Sequence, residues 1–334
     1  MLETKKVRDR SFDILKGIGI MIMIMGHVTW GGDSELNIWY HSFHMPLFYI
    51  ISGYFFKETD FLGLIRKRLK SLLIPYTFWG LFFFLFDFIV NGNDNLIKTI
   101  IMRMIVFPRG GVPIAGALWF LPTLFIMNII YYFIIKMVKN CYLELFIAIL
   151  ITLFGMVLTT HGLFLPFAFD TALVGIGFMG LGRFVKAKNI NSLYKGMWYL
   201  PITLIILDGF LISVNGEVNF SGGIYSNYFL SIINAFSMTT AFWMISKSVS
   251  ISPIKIVEQH LSRLLAYIGE NSLVFVCLNQ FVIFIMLQIN VVSEELLISN
   301  VCVGVLITCV VCLICSCLSV ILLKYKWTRA LIGK

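Results

Sequence analysis

The chain has 334 residues, of which 59% are hydrophobic and only 13% charged, with a formal net charge of +9. Soluble globular domains are usually about half apolar and about a quarter charged, so this composition excludes one. Long apolar runs without strict alternation exclude a β-barrel and predict an all-α, polytopic membrane helix bundle. The excess of Lys and Arg then reads as the positive-inside rule, and nucleic acid is not expected as a partner.

Residues 1–10 form a basic start on the cytosolic side. A first helix is expected from about Ser11 to Trp30, capped by Ser11, with Asp13 in its first turn. After the short outer loop GGDSELN, a second helix covers about Ile38 to Phe56. The basic segment KETDFLGLIRKRLK precedes a third span, about Leu72 to Val90. The longest connection follows, and its middle, Leu96 to Phe107, reads as an interfacial or re-entrant helix. Pro108, Gly110, Gly111 and Pro113 break it.

Further spans are expected at about Leu118–Val138, Leu143–Thr160, Leu165–Val185 and Met197–Val214. The last three cover about Tyr228–Ile245, Leu264–Ile289 and Leu297–Leu323, giving about ten in all. With both termini cytosolic, Lys136, Lys139, Arg183, Lys195, Lys247, Arg263 and Lys324 fall inside, and only Lys98, Arg103 and Arg109 fall outside. Residues 1–334 read as a single membrane-embedded domain, without a cleavable signal peptide or attached soluble domain. The location this implies is a plasma membrane.

Ionisable residues at membrane depth are costly and therefore candidate functional sites. On the first helix Lys16 and His27 are eleven residues apart, which puts them on one face to within roughly 20°, with Asp13 on the same line. His27 lies roughly 16 Å deeper than Lys16 along the axis. Either these groups build a site, or Asp13 and Lys16 are an interfacial pair and His27 bonds a neighbouring helix. His44, at comparable depth on the next, antiparallel helix, favours a site: two imidazoles facing one cavity suit proton transfer near neutral pH. His41 is expected at the interface, and His161 and His260 in solvated loops. The cluster Arg66, Lys67, Arg68 and Lys70 either fixes topology or holds the phosphates of a cytosolic co-substrate.

Other signals have plain explanations. Gly175-Ile-Gly177-Phe-Met-Gly180 lies in a membrane helix with no preceding strand, so it reads as close helix packing and not dinucleotide binding. Cys309, Cys312 and Cys315 lack a nearby His or carboxylate on their helix, and with Ser316 and Ser319 read as a small-residue packing face; no metal is expected. Asp87, Asp170 and Asp208 are expected at or near helix ends, and no G-x-S-x-G elbow is present.

Several blocks resemble the membrane acyltransferase-3 family. They are D-x-x-K-G-I-G-I with His27 following, F-H-M-P-L-F-Y-I-I-S-G-Y-F from Phe43 to Phe55, and the RKRLK run with L-L-I-P-Y from Leu72 to Tyr76. Leu118–Pro122, Phe178–Arg183 and Ile268–Leu273 match further anchors, all in family order. The sugar or capsule O-acetylase branch, fucose 4-O-acetylase-like, is the nearest in flavour. The resemblance implies transfer of an acetyl group from cytosolic acetyl-CoA, the donor co-substrate, to a hydroxyl of a surface glycan or its lipid-linked precursor. It implies His27 and His44 as catalytic residues, Lys16, Arg66, Arg68 and Lys70 as the coenzyme A site, and Asp13 in support. Relatives often carry a histidine where this chain has Asn279 and Gln280, so that role is absent here or held by an amide. Two other readings stand beside this one: a proton-coupled transporter or flippase of a lipid-linked glycan, and a structural subunit of an export complex. The acceptor sugar, the acyl group and the oligomeric state stay open.

Overall fold

The computed structural model describes residues 9–29, 35–92, 95–189 and 197–334. Most of the basic start, with Trp30, Asp33, Asp94 and Lys195, lies outside the described residues. Helix covers most of each of the ten expected stretches among the described residues, with breaks inside the ninth at Asn271 and the tenth at Asn300. Seven helices there are long and apolar enough to cross a membrane, or eight if one bent pair counts as a span.

The first helix, α1 (Ser11–Val28), is followed by α2 (Glu35–Tyr54). Ser11 is the first helical residue and not the cap: its N–H and hydroxyl both donate to Asp9 Oδ1, at 2.9 and 2.6 Å. α2 is long enough to span but carries Asn37, His41, Ser42 and His44 and is not one of the seven apolar helices.

The basic segment before the third span is helical from Phe61 onward. Asp60 caps it by accepting from Gly63 N–H at 2.7 Å, which also holds the Asp60 carboxyl below its usual range. The helix then runs unbroken through a π turn at Leu69–Leu73, so α3 covers Phe61–Asn91. The long connection contains α4 (Leu96–Ile100) and a further π turn, Ile101–Val106. Tyr76 donates its hydroxyl to Met104 O at 2.8 Å, tying this segment to α3.

The next three helices are α5 (Gly116–Met137), α6 (Cys141–Thr160) and α7 (Phe169–Ala187). The Gly-x-Gly-x-x-Gly stretch lies in α7 and is a packing face. A Cβ on Gly180 would lie 2.8 Å from Ala148, and Gly177 N–H donates to Thr152 Oγ1 at 2.7 Å. α8 (Leu200–Asn215) and α9 (Tyr228–Ser250) form an antiparallel pair joined through a two-stranded hairpin, β1 (Val218–Asn219) and β2 (Ile224–Tyr225). Asp208 sits in the middle of α8, fully buried, where a helix end was expected. Ser237 of α9 donates to it at 3.1 Å, which explains how the helix pair tolerates a carboxyl there.

The expected ninth span is not one helix. α10 (Val257–Glu270) and α11 (Ser272–Gln288) meet at 86°. The break falls at Asn271, whose amide donates to Tyr267 O at 2.9 Å, and Asn and Ser compete for backbone in this way. His260, expected in a loop, lies in the π turn Val257–Leu261 that opens α10 and is exposed there. The short α12 (Glu294–Ser299) leads into α13 (Val301–Lys324), and α14 (Lys326–Ala330) follows. On α13, Gly304, Thr308, Cys312, Cys315 and Ser319 are buried on one packing stripe.

α1 is the hub, touching α2, α9, α10, α11 and α13. The approach to α10 is closest: a Cβ on Gly17 would strike the Leu265 backbone, and one on Gly269 would strike Asp13 O. Backbones that touch need small residues, and here they hold the polar line of α1 in a fixed rotation.

Candidate active site

A cavity of about 820 Å³ runs inside the bundle beside α1. Lys16 and Arg68 line one end, Arg109, Asn219 and Glu294 the other, and His27, His41 and His44 the stretch between. The face predicted on α1 exists: Lys16 and His27 both open into this space, and Lys16 Nζ is 2.8 Å from the buried Asp13 carboxylate.

Each histidine is positioned by its own helix. His44 Nδ1 donates to Tyr40 O at 2.6 Å, and His41 Nδ1 donates to Asn37 O at 2.8 Å. Carbonyl oxygens only accept, so both rings carry a proton on Nδ1. Pro46 lies within α2 two residues after His44 and cannot donate to the preceding turn, which leaves that turn less constrained. The His41 and His44 ring centroids are 5.3 Å apart, edge to face. A Cβ on Gly26 would lie 3.6 Å from His41 Cε1, so the His41 ring seats against the backbone next to His27. His41 therefore lies in the cavity, not at an interface. His161 and His260 are exposed and do not line it.

The basic cluster divides. Arg68 lines the cavity, half-buried, and its Nε is buried with no hydrogen-bond partner among the described residues. Ser71 Oγ, one turn on, is in the same state. Arg66 and Lys70 are exposed and do not line the cavity. The α10–α11 break completes this end: Asn271 and Ser272 line it, and Lys334 Nζ donates to Asn271 Oδ1 at 2.5 Å. Trp79 Nε1 donates to Leu331 O at 3.0 Å, holding that last segment against α3.

Three contributors named in the sequence were not assigned to the site there. Gln280 of α11 lines the cavity, accepting from Ala117 N–H at 2.8 Å and approaching His27 Nδ1 through Nε2 at 3.5 Å. Its neighbour Asn279 is fully buried and spends its amide on Phe275 O and Val276 O of its own helix, away from the cavity. Arg109 and Asp170 form the second: Nη1 lies 2.5 Å from Asp170 Oδ2, with the carboxylate side chain fully buried. Arg109 also donates through Nε to Ser221 O at 2.8 Å and stacks over Phe164 at 4.4 Å. It pins the hairpin, the start of α7 and the long connection around one end of the cavity. The sequence signal was available, since Arg109 is one of few cations on the sparsely basic side. The third is His41.

This arrangement can hold an extended molecule along the cavity, anchor an anionic end at Arg68 and present imidazole to a reacting group in the middle. Among the described residues no group of three or more His, Cys, Asp or Glu is placed to hold a metal ion.

The acyltransferase-3 family model, described as an acyltransferase domain, matches residues 9–320. Two curated relatives share a short stretch. The nodulation protein NolL of Sinorhizobium fredii is 37% identical over 87 residues, covering 22% of this chain and 23% of its own length. NolL of Mesorhizobium japonicum is 39% identical over 85 residues, with the same coverage of 22% and 23%. The chain thus matches about a quarter of the length of either relative. No solved structure matches. The family match spans nearly the whole helical bundle and encloses all three cavity histidines, and the chain belongs to the acyltransferase-3 family of multi-pass membrane acyltransferases.

Proposed function

We propose that the protein moves an acetyl group from acetyl-CoA on the cytosolic side to a hydroxyl of a surface glycan, either a capsular or exopolysaccharide sugar or its lipid-linked precursor. The observation that carries this reading is the single cavity linking Lys16 and Arg68 at one end to His27 and His44 in the middle and Arg109 at the other. A donor with phosphates at one end and a thioester at the tip of a long arm suits that shape. Arg68 supports the phosphate end: a buried guanidinium Nε without a partner is costly unless a ligand oxygen reaches it, and Ser71 Oγ stands beside it. Lys16 supplies a second cation at the same end. Arg66 and Lys70, exposed on the helix, serve topology and lipid contact in this scheme and not the co-substrate.

With α1 running inward-to-outward, the Arg68 end is cytosolic and both termini lie on that side of a bacterial plasma membrane. The acceptor hydroxyl enters from the Arg109 end. An imidazole base accepts its proton as the oxygen attacks the thioester carbonyl, and donors in the cavity stabilise the oxyanion.

The test is acetyl-CoA turnover by purified protein in nanodiscs, with proton NMR of the surface polysaccharide from intact, deleted and His27→Ala strains. Loss of O-acetyl signals in the deletion and in His27→Ala is the expected result. Unchanged acetylation with reduced polysaccharide export would replace this reading with the transporter.

A further inference from the structure

Of the three cavity histidines, His27 and His44 are held in opposite protonation patterns, and a glutamine sets the difference. His44 Nδ1 faces Tyr40 O at 2.6 Å and must donate to it. A neutral His44 ring therefore has its lone pair on Nε2. His27 is wired the other way. Ala117 N–H can only donate, so the partner it meets at 2.8 Å is the carbonyl oxygen of Gln280. That fixes which way the amide faces. The opposite corner, Nε2 of Gln280, is an amide nitrogen that can only donate, and it points at His27 Nδ1 at 3.5 Å. A ring nitrogen that accepts carries no proton, so neutral His27 bears its proton on Nε2. The 3.5 Å separation is at the long end of hydrogen bonding, as is common for catalytic hydrogen bonds in the absence of substrate.

We propose that Gln280 is a positioning residue that holds His27 as the Nε2–H tautomer, so that His27 donates to the oxyanion while His44 is the general base. The role assignment rests on the acetyl-transfer reading; the tautomer assignment does not. In the reaction His44 Nε2 takes the proton of the acceptor hydroxyl. The hydroxyl oxygen forms a bond to the thioester carbonyl carbon, and the carbonyl electron pair moves to oxygen. That oxygen accepts a hydrogen bond from His27 Nε2–H without taking the proton. As the carbon–sulfur bond breaks, sulfur leaves with the bonding pair and receives the proton from His44. Both rings return to their starting states.

The arrangement explains why an amide can serve where a titrating group could not. Gln280 presents one donor and one acceptor at all ordinary pH values, and the α5 N–H chooses which is which. Alanine at either histidine should lower activity whatever its role, so the protonation pattern is what tells the two apart.

The chain has five histidines, few enough for residue-specific nitrogen NMR. The experiment is the spectrum of full-length protein labelled with nitrogen-15 histidine in nanodiscs at pH 8. His27→Asn and His44→Asn serve only to assign signals. In the wild type, His27 should show a protonated Nε2 and bare Nδ1, and His44 the reverse. Gln280→Glu removes the donor, since a carboxylate facing both Ala117 N–H and His27 can only accept. It should move the proton of His27 to Nδ1 and lower kcat about 100-fold, the scale of losing one oxyanion donor, with KM for acetyl-CoA changed less than threefold. Gln280→Met, of similar shape, should lose the His27 preference and fall between, and it covers the case where the glutamate variant fails to fold. A wild-type His27 protonated on Nδ1 overturns the proposal, as does a tautomer switch that leaves kcat unchanged. If the wild type does not turn over acetyl-CoA, the acetyl-transfer reading and the two roles fall together, and the tautomer claim is still decided by the spectrum.

Discussion

Removing the Arg109 guanidinium should be among the most damaging single changes outside the reacting groups. Its partner Asp170 has a fully buried side chain, and the Arg109 side chain is 10% exposed. Arg109→Met leaves a carboxylate without its cation inside the bundle. Breaking a buried pair from one side costs about 3–5 kcal/mol, because the remaining charge keeps its desolvation penalty. Loss of the Phe164 stacking adds about 1 kcal/mol. For a chain of this size about 2 °C of Tm follows each kcal/mol, so the midpoint should drop by about 8–12 °C. Replacing both partners with apolar residues removes the orphaned charge, so Arg109→Met with Asp170→Leu should recover at least half of the loss. Thermal unfolding in detergent, followed by a thiol-reactive dye on the buried Cys277, Cys312 and Cys315, measures this directly. A drop below about 2 °C for Arg109→Met, or a double variant no better than the single, refutes the account of Arg109 as a buried clamp.

Arg68→Ala should raise KM for acetyl-CoA about tenfold or more, the scale of one hydrogen bond to a charged group, while Arg66→Ala and Lys70→Ala stay within twofold; equal effects at all three positions would show that the cluster acts as diffuse charge. Gly53→Val should be misassembled or strongly unstable, because even a Cβ there would strike the Met179 backbone of α7, whereas Gly209→Ala meets nothing within 4 Å and should leave Tm unchanged within about 1 °C. For topology, exposed Cys302 at the start of α13 should react with an impermeant maleimide added to intact spheroplasts, and Cys141 at the start of α6 only after permeabilisation; the reverse pattern would invert the orientation. His41→Ala should lower kcat less than tenfold while His44→Ala lowers it at least 100-fold; comparable losses would give His41 a share of the chemistry.

The sequence by itself determined the class of this protein and the axial placement of its histidines. A bilayer demands about twenty apolar residues per helix, so span positions are readable from length, and the period of an α-helix puts Lys16 and His27 on one line without further information. The blocks around His27 and His44 carried the family. What it could not determine was rotation. A helix that is apolar all round has no stripe to say which face meets a neighbour, so nothing in RKRLK distinguishes Arg68, which turns into the cavity, from Arg66 and Lys70, which turn away. The same limit hid Gln280 beside Asn279: adjacent residues point about 100° apart, and only the packing of α11 against α1 and the start of α5 sends one to His27 and leaves the other on its own helix. The α10–α11 break was hidden because Asn271 and Ser272 sit in one apolar run whose length suits a single span. Arg109 found its carboxylate 61 residues away in sequence, and only the tertiary fold brings a lone cation and a lone anion together out of water.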